Sequence, residues 1–131
     1  MQVKRTVVVT AVVTEKLKAE LCEELQNNLD RISDAQKELE QQSRRYMLQM
    51  PSADLATAFR KQVEQEARRH EAAKGEIQSR LDEVQALKLG DRIPYTSLEE
   101  FMEVKVGDDL VAMLSRGEIL IEDGKVLEIT E

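Results

Sequence analysis

The residues with the most chemical potential are few, and their spacing argues against most catalytic plans. The chain holds one histidine, His70, and one cysteine, Cys22. A general base or a metal ligand needs partners within reach. His70 has only Glu66 and Glu71 close by in sequence, and a charged helix carries such acids in any case. It lies between Val63 and Ile77 at helical spacing, so it reads as a seam residue of a packed helix. Cys22, beside Leu21 and Leu25, has no second thiol to pair with and no neighbouring base. It reads as a small buried hydrophobe. One thiol and one imidazole exclude a CxxC zinc site, a multi-cysteine disulfide framework and a histidine-cluster metal centre. No nucleophile elbow, phosphate loop or dinucleotide fingerprint occurs. The expectation is a protein that is not an enzyme and that uses no cofactor or metal.

A second cluster points to binding. Tyr46, Met47, Leu48, Met50, Leu55 and Phe59 gather around Pro51, flanked by Arg44, Arg45, Arg60 and Lys61, and between Glu40 and Glu64 the only acid is Asp54. Methionine surfaces adapt to different partners, and Arg with aromatics is enriched at interface hot spots. Arg44, Arg45, Tyr46, Met47, Met50, Leu55, Phe59, Arg60 and Lys61 are therefore the candidate partner-binding residues. The plainer alternative is that the same side chains pack a turn or meet another copy of the chain.

Long helices must position this cluster. Thr14 is placed to cap a helix, with Glu15 beside the positive end of its dipole. Leu25, Ile32, Leu39 and Tyr46 then recur every seven residues, with Leu21, Asn28, Ala35 and Gln42 at the companion position. A second seam runs through Ala56, Phe59, Val63, His70, Ala73, Ile77, Val84 and Leu87. The two seams are out of phase by three residues, and the slip falls at Met50-Pro51-Ser52, where Pro51 removes a helical N–H and Ser52 can open a new helix. The pattern predicts an antiparallel coiled-coil hairpin over 15–88 with its turn near 50–52, each arm about 50 Å long. One kinked continuous helix in a parallel dimer is the rival.

Either end of the hairpin changes character. Residues 1–14 contain Val7-Val8-Val9-Thr10-Ala11-Val12-Val13, too short to span a membrane and without a small-residue cleavage site; its stiff valines suit a strand. Residues 89–131 carry four basic and eleven acidic residues and so supply the whole net charge of -7. Phosphate binding is disfavoured there. Gly90 and Pro94 stop the helix; Met102, Val104 and Val106 alternate with Phe101, Glu103 and Lys105 as a strand would; Leu110 to Leu114 form a short helix behind Asp108 and Asp109. Ile119 to Ile129 read as a hairpin turned at Asp123-Gly124. The fold class expected is α+β: a long helical hairpin, with a small antiparallel β domain formed by the N-terminal strand and the C-terminal segment. Aromatics at 3%, with no Trp and five Gly, agree with such a helix-rich plan and give bases little to stack on.

The valine strand leading into a charged hairpin, then "LGDRIPY", "EVKVGDDL" and "ILIEDGKVLEI", resembles the YlqD family of small bacterial proteins over essentially the whole chain. Val104 to Asp108 and the Ile119–Ile129 hairpin are its most specific part. The resemblance implies no catalytic or binding residues. Some bacillar relatives are encoded beside ribosome-maturation genes, which associates the family with translation.

Three functions fit these features. The first is a protein-interaction, adaptor or chaperone-like module, in outline like a prefoldin. The second is an RNA- or ribosome-associated factor using the basic turn. The third is a non-catalytic RNA polymerase-binding regulator, since Asp54 alone lacks the paired acids that Mg²⁺-dependent transcript cleavage needs. The chain is expected to be bacterial and cytoplasmic, away from membranes. It is also expected to self-associate, because polar seam residues and a small β domain bury little apolar area.

Overall fold

The computed structural model describes all 131 residues. The element order is β1 (Gln2–Val12), α1 (Glu15–Leu48), α2 (Ala53–Ala86), β2 (Arg92–Glu103), α3 (Leu110–Ser115), β3 (Glu118–Glu122) and β4 (Lys125–Thr130). The chain divides into two compact units. One comprises residues 1–19 with 87–131, the other residues 20–86.

The first unit is built on a four-stranded sheet of order β2-β1-β3-β4. Alternation along β1 sends Val7, Val9 and Ala11, followed by Val13, to one face, and these four are buried. β2 pairs antiparallel with the full length of β1, from Gln2 opposite Glu103 to Val12 opposite Arg92. β3 takes the other flank of β1 and runs parallel to it. The sheet is therefore mixed where a wholly antiparallel one was expected. The cause is topological: β2 already occupies one side of β1, so β3, running opposite to β2, is parallel to β1 when it pairs on the other side.

The strand expected at Phe101–Val106 is also displaced. β2 begins at Arg92 and ends at Glu103, because it follows β1 and stops where β1 does. Pro94 is tolerated since β2 is an edge strand. Beyond it, Val104 N–H still donates to Met1 O at 2.8 Å, and then Asp108 accepts from the Lys105 backbone N–H at 2.8 Å in a turn that takes Lys105 and Val106 away from the sheet. Asp109 then caps α3, accepting from Ala112 N–H at 3.1 Å. The Asp123-Gly124 turn forms as expected, both residues at positive φ, 48° and 83°. That geometry is a hairpin turn of the type Asp-Gly favours.

The second unit is a helical hairpin. Thr14 Oγ1 accepts from Leu17 N–H at 3.1 Å and opens α1, while Ser52 Oγ accepts from Leu55 N–H at 3.2 Å and opens α2. Each helix has 34 residues. The arms are joined across their interface by Gln36, whose Nε2 donates to Glu71 Oε1 at 2.8 Å and whose Oε1 accepts from Lys74 Nζ at 3.2 Å. The companion residues Leu21, Asn28 and Ala35 are half-buried as read from sequence, and the position after each companion joins the seam. Leu29, Gln36, Ser43 and Met50 are half-buried or buried, whereas Gln42 is exposed. In α2 Leu81, only 6% exposed, faces inward although it lies outside the seam read from sequence. A straight helix drifts against a seven-residue repeat, so inward positions slide over this many turns.

Candidate functional site

The turn between α1 and α2 collects the candidate residues on the last turn of one helix and the first two turns of the next. The α1 end is tightened by Gln49 N–H to Tyr46 O at 3.1 Å, and α2 starts with Ala56 N–H to Ser52 O at 3.1 Å. The Tyr46 and Phe59 rings meet edge to face, their centroids 6.0 Å apart at 62°. An edge-to-face contact of this kind fixes both rings. Met47, Met50 and Phe59 are half-buried. Tyr46 remains 56% exposed, Leu55 53% and Leu48 89%. Leu48 was part of the cluster in sequence but not among the candidate binding residues; its exposure is set by its position on the last residue of α1, turned out of the seam.

The four cations are not equivalent. Arg44 is tied to Glu40 Oε1 at 2.6 Å, one helical turn back, so its charge is largely compensated. Arg45, Arg60 and Lys61 are exposed and take part in no ion pair. Beside the aromatic pair a shallow groove of about 230 Å³ opens between the arms, walled by Leu39, Ser43, Tyr46, Phe59 and Val63. The turn thus presents three large apolar side chains and three unpaired cations.

Elsewhere the chemistry-bearing residues sit apart. His70 lies in the seam, its side chain 19% exposed, with Nε2 3.6 Å from Glu66 Oε1 and Nδ1 buried without a hydrogen bond. A larger groove of about 630 Å³ runs past it, lined by Ser33, Gln36, Ser43, Val63 and Lys74 among others. Cys22 is half-buried in α1 and unpaired. No three His, Cys, Asp or Glu side chains converge as metal ligands would. No helix is long and apolar enough to cross a membrane.

The family model described as YlqD protein matches residues 1–130. The chain belongs to the YlqD family. Among solved structures, it is similar to the crystal structure of a protein of unknown function from Synechococcus sp. WH 8102. The two share 26% identity with a TM-score of 0.91, over 100% of this chain and 96% of the other. At that identity, the retention of one fold across the full length means that the strand–hairpin–strand plan of this YlqD protein survives extensive side-chain replacement. No curated protein matches the chain.

Proposed function

We propose that this YlqD protein is a non-enzymatic cytoplasmic interaction module, of adaptor or chaperone-like type, that engages a partner protein through the turn of its helical hairpin. The observation that carries the reading is the exposure of Tyr46, Leu48 and Leu55 beside Arg45, Arg60 and Lys61. Large apolar side chains held out at a turn cost solubility unless a partner covers them, and clustered ones mark interaction surfaces. The cations suit a partner with an acidic rim, where charge sets the encounter rate and orientation while apolar anchors supply affinity. A protein is favoured over RNA because three unpaired cations give little counterion release and the aromatics pack on each other.

Two variants of the full chain separate the readings. Leu48→Ser with Leu55→Ser removes the apolar anchors at exposed positions, where folding is little disturbed. Arg45→Gln with Arg60→Gln and Lys61→Gln removes only charge. A protein-binding turn loses its partner with the first variant and keeps it, with slower association, in the second. Salt-sensitive RNA binding, abolished by the charge variant and indifferent to the first, would establish the nucleic-acid reading instead.

A further inference from the structure

β4 is an edge strand, bonded to β3 on one side and to nothing on the other. All six of its residues are exposed, with Val126 at 57%, Leu127 at 55% and Ile129 at 63%. An apolar edge left open in this way is a template for another strand, and proteins usually blunt it. The opposite edge, β2, is blunted: Pro94 offers no N–H, and Glu99, Glu100 and Glu103 line it. β4 carries no proline, its one irregularity is the register shift at Leu127 against β3, and its charge is arranged differently. Lys125 stands at its start, Glu128 within it and Glu131 just past its end.

We infer that β4 pairs antiparallel with β4 of a second copy of this chain, about a two-fold axis, to make one continuous eight-stranded sheet. The charge order selects this arrangement. Antiparallel self-pairing brings the Lys125 end of each strand against the acidic end of the other. Centring between Val126 and Leu127 sets Lys125 of each strand opposite Glu128 of the other, whereas centring on Glu128 would set that glutamate against itself and is disfavoured. Parallel pairing would stack lysine on lysine and glutamate on glutamate, which is unfavourable across strands. Pairing β4 with β2 of another copy would set Glu128 and Glu131 against an edge that is itself acidic, and would propagate as an open fibre rather than close. The self-complementary pairing also covers Val126, Leu127 and Ile129 in a unit where only five apolar side chains, Val7, Val9, Ala11, Val13 and Leu120, are buried.

Sedimentation of the full chain from 5 to 100 μM tests the inference. The wild type is expected to sediment as a dimer. Ile129→Lys, at an exposed position, should weaken dimerisation by about tenfold or more while circular dichroism stays unchanged. Lys125→Glu should weaken it likewise, and combining that change with Glu128→Lys should restore it. Leu48→Ser should leave the dimer intact, which keeps this outcome separate from the role of the helical turn. A wild type that is monomeric at 100 μM would overturn the inference, including where the edge captures an extended peptide of another protein. So would a dimer indifferent to both Ile129→Lys and the charge reversal.

Discussion

Arg5 shows how a residue's role can be hidden from sequence. One of two cations in β1, it is a structural clamp. Its guanidinium donates to Met113 O at 2.9 Å and Arg116 O at 3.0 Å, the free carbonyls ending α3, and pairs with Glu100 on β2. Its side chain is only 12% exposed, so these bonds are partly shielded from water. Arg5→Met should lower stability by about 2 kcal/mol, the scale of losing hydrogen bonds to a charged group. The midpoint of urea unfolding measures it, and an unchanged midpoint would show that water replaces the guanidinium. His70 acts in the opposite sense. Its buried Nδ1 has no partner, so His70→Leu should raise stability by about 1 kcal/mol by removing an unsatisfied polar atom from the seam. A fall in the midpoint would mean that the contact with Glu66 outweighs that cost. Neither effect is legible in sequence, because both depend on which carbonyl or ring a side chain meets.

Elements were more legible, because they rest on local rules. Thr14 and Ser52 cap the helices as their types and positions suggest, and Asp123-Gly124 turns the last hairpin. The three-residue slip at Pro51 revealed a hairpin rather than a single helix, since one proline explains both the phase change and the break. What local rules miss is tertiary choice. The extent of β2 and the parallel β1–β3 pair follow from which side of β1 is already occupied. Two glycines rank the turns. Gly124 lies at φ 83° with open space around a Cβ, so Gly124→Ala should cost about 1 kcal/mol for backbone strain alone. Gly117 lies at φ 128°, well beyond the left-handed well that L residues visit, although a Cβ there would meet Arg5 and Val7 only at an ordinary contact distance of 3.5 Å. Gly117→Ala should therefore be the more damaging of the two in thermal melts. The reverse order would place the constraint at the β3–β4 turn.

For the molecule as a whole, both units are net acidic and both carry exposed apolar side chains, so what distinguishes them is where these features gather. The acidic residues beyond position 89 belong to the sheet unit, whereas three unpaired cations and the exposed Tyr46, Leu48 and Leu55 belong to the hairpin unit. The two proposals belong to different units: self-pairing to the β4 edge and partner capture to the helical turn. The residues on which the second rests were legible in sequence as a composition cluster around Pro51. The open β4 edge was not legible, because a strand's place at an edge is set by sheet order. The partner-capture claim is tested most directly by a photo-reactive amino acid at position 48, with the same group at the exposed Thr57 position as a control. The account predicts that cells give one discrete protein adduct from position 48, lost when Leu55→Ser is added and absent from position 57. Equal, diffuse cross-linking from both positions, or adducts only to RNA, would contradict it.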